Sequence, residues 1–266
     1  MKAFVRRRPL LSYFLLAYAI TWTVAAPLLL SSRGFIDADA PEWLEPLAAF
    51  GPFIAAMSVA RALQGREGPA AILGSVTRWR VRPIWFVFAL GSPILILGAS
   101  LLVVSLTGGQ PIDPARGRLG ELASAAGLFD LIVISAVIQA LGEEPGWRGF
   151  ALPQLRERFG PLAATLALFP VWLCWHLPFF LSRPGFGLAQ WLGFSLGILS
   201  AAIWLTLIWD RTRSVLMCLG WHAMVNICRG LALAMSAAMF LAFSNIVLVG
   251  GLLIVGYWLV SRKDKV

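Results

Sequence analysis

Apolar residues in this chain run on without the two-residue alternation of a half-buried strand and without the one-sided stripe of a surface helix. Eight such runs stand out, at roughly 10–30, 46–64, 84–106, 122–142, 161–181, 190–209, 214–234 and 237–260, each close to the about 20 residues that a membrane-spanning helix needs. They predict an all-α polytopic membrane protein of about eight transmembrane helices in one bundle, with residues 1–266 as a single transmembrane domain. The first run follows MKAFVRRR, which reads like the start of a signal peptide. Its length exceeds the 7–15 residues of a signal h-region, so it is expected to stay as an anchor. No repeat of fixed period and no linker breaks the chain. The Gly- and Pro-rich stretch 107–119 reads as a loop, and WRGFALPQLRERF at 147–159, mixing apolar with basic residues, as a segment lying at the inner interface.

Composition agrees with that pattern. Hydrophobic residues make up 59% of the chain and charged residues 13%, with a mean hydropathy of +0.80, against about 45–50% apolar residues in soluble domains. An ordinary soluble enzyme and a disordered chain are excluded, while a transporter, an intramembrane enzyme and a scaffold stay open. The net charge of +9 would suggest nucleic acid as partner for a soluble protein. In a membrane protein the placement of the charges matters more, because Lys and Arg collect on the cytoplasmic side. With the N-terminus inside, 17 of the 22 Lys and Arg fall on the inner side. The outer loops then hold Arg33, Arg116, Arg118 and Arg183 beside Asp37, Asp39, Glu42 and Glu45. Both termini are expected in the cytoplasm, the lipid bilayer is the expected surrounding, and no nucleic acid is expected. Arg far outnumbers Lys and Ala and Gly are abundant, a usage that points to a GC-rich bacterial genome and so to a bacterial inner membrane. Cys174, Cys218 and Cys228 lie in apolar runs without a CxxC pair, so no disulfide framework is expected.

An ionisable side chain at the centre of a bilayer costs roughly 2.5–3.5 kcal/mol on insertion scales, which makes each one a site hypothesis. The exceptions here are Asp130, Glu143, Glu144, His176, His222 and Arg229, with Arg148 just beyond the fourth run. On a helix, Glu144 and Arg148 stand at i, i+4, the spacing of an ion pair. Glu143 points about 100° away and is expected to be free. Pro145 and Gly146 can end or kink that helix, and both glutamates can equally cap the inner end of a span. The two histidines, in Trp172-Leu-Cys-Trp-His176 and His222-Ala-Met-Val-Asn226, are each compatible with ordinary helix packing. His222 and Asn226, however, share a helix face at i, i+4.

Other patterns carry less. Gly193-Phe-Ser195-Leu-Gly197 has the spacing of a nucleophile elbow but lies inside a span rather than at a strand–turn–helix junction. Cys218 shares a face with His222, and a buried thiol is ordinarily an inert small hydrophobe. No H-E-x-x-H zinc signature is present. Asp130 reads as a second polar anchor or an outer-half residue, and Arg229 as a side chain that snorkels outward or pairs with a carboxylate.

The order EExxxR, then an aromatic four residues before His, then HxxxN, on successive later spans, resembles the CPBP family of CAAX-protease and bacteriocin-processing (Abi) membrane proteins, which includes the type II CAAX prenyl endopeptidases of eukaryotes. The residues that carry the resemblance are EEPGWRGFALPQL at 143–155, WHLP at 175–178 and WHAMVN at 221–226. It spans about 140–230, with a family-like core of about 122–234. Trp172 stands where the family usually has Phe, a change of one aromatic for another that should keep the packing role.

The resemblance implies a membrane-embedded endopeptidase that opens toward the cytoplasm and acts on a membrane-associated protein or peptide. Glu143 would be the general base for water and His176 would orient that water. His222 and Asn226 would hydrogen-bond the oxyanion, with Glu144, Arg148 and Trp172 supporting the site. Two His and one Glu form a known zinc set, but Asn is a poor zinc ligand and no closely spaced ligand pair exists. A metal-free mechanism is therefore favoured, with zinc as the alternative cofactor. Some members of the family act as immunity or regulatory proteins, so a non-catalytic scaffold also stays open. So does a secondary transporter, although the unusual polar groups all lie in the second half, without the internal symmetry expected of one.

Overall fold

The computed structural model describes residues 2–113 and 118–263, and the apolar runs within them are helical. Arg116 and Lys265 of the charge pattern lie outside the described residues. Among those described, seven helical stretches are long and apolar enough to cross a membrane: Pro9–Ser32, Leu44–Gln64, Ile84–Leu106, Ala125–Arg156, Leu188–Thr212, Val215–Met235 and Ala237–Ser261. The remaining run is shorter. Its helix covers Pro161–Trp175, stops at His176 and resumes over Leu177–Leu181. Pro178 has no N–H to give the carbonyl of Cys174, so the helical ladder breaks there. The bundle is all-α, as predicted.

The first helices are α1 (Lys2–Arg7) and the long apolar α2 (Pro9–Ser32). The second span is α3 (Leu44–Ala48) followed by α4 (Gly51–Gln64). Next comes α5 (Glu67–Val76), entered through Gly65 at φ +64°, a conformation that favours glycine. This ten-residue helix falls where the sequence suggests only an inner loop. It packs back against α4 and against residues 149–151, and its Ile72 is buried. α6 (Ile84–Leu106) and the short α7 (Arg118–Leu122) follow.

The fourth span departs most from expectation. It runs as α8 (Ala125–Phe129), a π-wound stretch Asp130–Ile138, α9 (Gln139–Gly146), a second π-wound stretch Trp147–Ala151, and α10 (Leu152–Arg156). Pro145 and Gly146 therefore do not end the helix. Residues 147–156 pack inside the bundle rather than along its surface: Trp147, Arg148, Ala151 and Leu152 are fully buried, and of the segment 147–159 only Glu157, Arg158 and Phe159 are exposed. The reason is that Glu144 cancels the charge of Arg148 inside the bundle, which leaves an apolar face at 147, 150, 151 and 155. Two glycines bring this helix close to α4. A Cβ on Gly142 would stand 2.6 Å from the carbonyl oxygen of Ala49, and one on Gly146 would stand 2.6 Å from that of Pro52.

The bundle closes with α11 (Pro161–Trp175), α12 (Leu177–Leu181), α13 (Leu188–Thr212), α14 (Val215–Met235) and α15 (Ala237–Lys263). Its two ends differ in charge. At one, the Arg156 guanidinium grips Asp210 through two hydrogen bonds of 2.8 and 3.0 Å, Arg211 bonds Tyr257, and Ser214 donates to the carbonyl of Arg78. At the other, Arg183 pairs with Glu45 at 2.7 Å and Arg33 donates to the carbonyl of Leu181.

Candidate active site around Trp172

Three of the four residues predicted to carry chemistry gather around one indole. Trp172 is buried in α11, and its Nε1–H donates to Oε2 of Glu143 at 2.6 Å. Its ring lies 6.0 Å from the ring of His176 and 6.0 Å from that of His222. The Arg148 guanidinium sits over its face at 4.1 Å, a cation–π contact. Glu143 is thus held, not free as its spacing suggested, because the 100° turn away from Glu144 aims it at α11. No hydrogen bond to its second oxygen is seen among the described residues.

Glu144 and Arg148 form the expected i, i+4 pair at 2.9 Å, with both side chains fully buried. The same Oε1 of Glu144 also takes Nδ1 of His222 at 2.7 Å. This carboxylate therefore joins the first motif to the third, a link that spacing along the chain cannot show.

The two imidazoles are oriented alike. The carbonyl of Trp172, 2.8 Å from Nδ1 of His176, can only accept, so that nitrogen carries the proton. The Glu144 oxygen that accepts from Arg148 likewise accepts from Nδ1 of His222, which places a proton on that nitrogen. In both rings Nε2 is the nitrogen left for chemistry. His176 caps the broken helix between α11 and α12, half-buried and stacked on Phe180. Asn226 sits one turn beyond His222 on α14, and its Nδ2 donates to the carbonyl of Ser135 at 3.3 Å. It shares the helix face of His222 but is tethered to the π-wound stretch, not to the Trp172 cluster.

Helix α2 supplies a wall that the motifs did not reveal. Tyr18 donates to the carbonyl of Val171 at 2.5 Å, Trp22 to that of Trp175 at 3.2 Å, and Trp175 in turn to the hydroxyl of Thr21 at 2.8 Å. Tyr13 is buried against Trp147 and Phe150. The available signal was the seam Tyr13, Ala17, Thr21 and Ala25, buried at intervals of four, with polar atoms inside an apolar run.

The remaining candidates stand apart. Ser195 bonds back to the carbonyl of Trp191 within α13, so its glycine-flanked motif is helix packing. The Cys218 thiol points to the carbonyl of Leu205. Asp130 is exposed and accepts from Ser135. Arg229 is exposed. Among the described residues no three His, Cys, Asp or Glu side chains are grouped so as to hold a metal ion; Trp172 takes one Glu143 oxygen, and Arg148 and His222 share one Glu144 oxygen, while the other Glu144 oxygen is buried without a partner.

Residues 125–228 match the family model described as type II CAAX prenyl endopeptidase Rce1-like. That segment contains Glu143, Glu144, Arg148, Trp172, His176, His222 and Asn226, and the match supports a protease of the CAAX type in an integral membrane protein. No curated protein matches the chain.

Proposed function

We propose that this protein is a membrane-embedded endopeptidase of the CAAX type, which hydrolyses a peptide bond of a membrane-associated protein or peptide with water activated by Glu143. The observation that carries this reading is the convergence on Trp172 of a held carboxylate and two imidazoles, each ring oriented through Nδ1. Water bound between Glu143 and Nε2 of His176 gives one proton to the carboxylate while its other O–H stays intact and donates a hydrogen bond to the imidazole Nε2. The water oxygen then faces the substrate carbonyl. As the C–O bond forms, the carbonyl oxygen becomes an oxyanion. His222 in its protonated form, paired through Nδ1 with Glu144, donates to it from Nε2, and the carboxamide of Asn226 adds a second donor after leaving Ser135. The C–N bond then breaks and Glu143 returns its proton to the leaving amine, so that water and peptide become a carboxylic acid and an amine.

The basic end of the bundle is assigned to the cytoplasm by the positive-inside bias, in a bacterial inner membrane. Glu143, His176 and His222 act through their own side chains in this scheme, which routes no step through a metal. The test is hydrolysis of a quenched-fluorescent S-prenylated peptide by the full chain in liposomes. The wild type should cleave it and Glu143→Gln should not, while equal cleavage by both would remove Glu143 as the base.

A further inference from the structure

The fifth apolar run crosses only part of the membrane as one helix. Helix α11 has 15 residues, roughly 22 Å at a rise of about 1.5 Å per residue, against the about 30 Å of a hydrocarbon core. His176 stands at its end, and beyond the five residues of α12 the chain turns through exposed Arg183, Pro184 and Gly185. On the side of His176 away from the arginine-rich end, this run therefore supplies no continuous helix as a wall.

Packing differs on the two sides of the site. Toward the arginine-rich end it is sealed: Trp147, Ala151 and Leu152 on the fourth span, and Val215 and Cys218 on α14, are fully buried. Helix α5 closes the floor, since a Cβ on Gly149 would stand 3.3 Å from the side chain of Ile72 and 3.5 Å from that of Val215. In the other direction both helices open. On α14, His222 is buried, Asn226 half-buried and Arg229 exposed, at i, i+4 and i+7 of one face. On the fourth span, Glu143 is buried, Gln139 and Ser135 are half-buried and Ile132 is exposed. The ends of α14 fix the direction: Ser214 holds the carbonyl of Arg78 at the arginine-rich end, and the carbonyl of Met235 accepts from the N–H of Asp113 at the other. Ser135, Gln139, Asn226 and Arg229 put polar groups along this opening stretch, which are costly against hydrocarbon and are satisfied by water.

We infer that the Trp172 cluster opens at the end of the bundle opposite the arginines, between the far halves of the fourth span and α14, and that water and an extended peptide substrate enter there. With the arginine-rich end in the cytoplasm, this mouth faces the outer side of the membrane. That is the reverse of the cytoplasmic opening implied by the family resemblance, and it makes the substrate a membrane-associated peptide presented on the outer face. The substrate part rests on the protease reading above, whereas the position of the mouth does not.

The experiment treats sealed right-side-out and inverted vesicles carrying the full chain with a membrane-impermeant maleimide, which labels a thiol only where water admits it. In a Cys174→Ser, Cys218→Ala, Cys228→Ser background, Arg158→Cys marks the arginine-rich end and Asn226→Cys reports the site. Ser135→Cys is a second probe that leaves Asn226 in place. Both probes should react roughly ten-fold or more faster in the orientation that protects Arg158→Cys, and Cys218, kept as the single thiol, should react in neither. Labelling of the probes from the same side as Arg158→Cys, labelling of Cys218 from that side, or no labelling of the probes from either side overturns the inference. An S-prenylated fluorogenic peptide with a charged tail that cannot cross the bilayer, added outside, should be cleaved by wild type only in vesicles of the orientation that protects Arg158→Cys. Cleavage in the opposite orientation overturns the entry route. Cleavage in neither overturns the protease reading, and the labelling still decides the mouth.

Discussion

Glu144 receives two hydrogen bonds on a single carboxylate oxygen, from Arg148 Nη1 at 2.9 Å and from His222 Nδ1 at 2.7 Å. Buried ion pairs contribute little net stability while intact, but removing one partner leaves an unpaired charge that costs roughly 3–5 kcal/mol. Glu144→Gln and Arg148→Ala should therefore lower the yield of folded protein and its melting temperature in detergent. Glu144→Gln should also lower kcat in the fraction that folds, since His222 loses its carboxylate. A Glu144→Gln protein with wild-type melting and turnover would show that the pair does neither.

Glu143→Gln should behave differently. The amide oxygen of Gln still accepts from the Trp172 indole, so folding and insertion should persist, while proteolysis should fall by roughly 10²–10⁴-fold, the range for loss of a general base. Circular dichroism and turnover measured on one preparation separate the two effects.

Trp172→Phe restores the ring usual in the family that the motifs resemble, yet removes the donor that holds Glu143 at 2.6 Å. A hydrogen bond to a charged group is worth about 1.5–3 kcal/mol. The variant should fold and lose turnover, with a smaller loss than Glu143→Gln. Unchanged kcat would mean that the indole only packs.

Metal dependence has a direct readout. If the side chains alone activate water, turnover of purified protein should survive a strong chelator. Loss with chelator and recovery with zinc would recast Glu143, His176 and His222 as ligands.

Reporter fusions after Asp39 and at the C-terminus should give opposite locations, outer and cytoplasmic. The same location for both would overturn the eight-span topology.

Most of the bundle was legible because a bilayer demands long apolar runs, and those runs became helices. α5 was not, since ten residues are too few for a span and its apolar positions lie among loop arginines. The fourth helix was read as ending near Gly142 because Pro145-Gly146 resembles a stop signal and Arg148 resembles an interface residue. Only the paired charge, invisible as a hydropathy value, explains why it continues. Within the site, Glu144 with Arg148 followed from helical spacing. The links Glu143–Trp172 and Glu144–His222 join residues 29 and 78 positions apart, and no local pattern encodes them. The contribution of Tyr18, Thr21 and Trp22 was hidden for the same reason, as it belongs to a span outside the motifs.

That last group sets the smallest piece of chain that could work. Tyr18 and Trp22 cover the carbonyls of Val171 and Trp175, beside the break at His176. A protein trimmed to 125–228 would face hydrocarbon with the Trp175 carbonyl bare at the helix break, at several kcal/mol for an unsatisfied group, and with the Val171 carbonyl reduced to its helical partner. Truncation should therefore collapse the turn that presents His176 even though every motif residue is retained, and supplying α2 as a separate peptide should be the shortest route to restoring it.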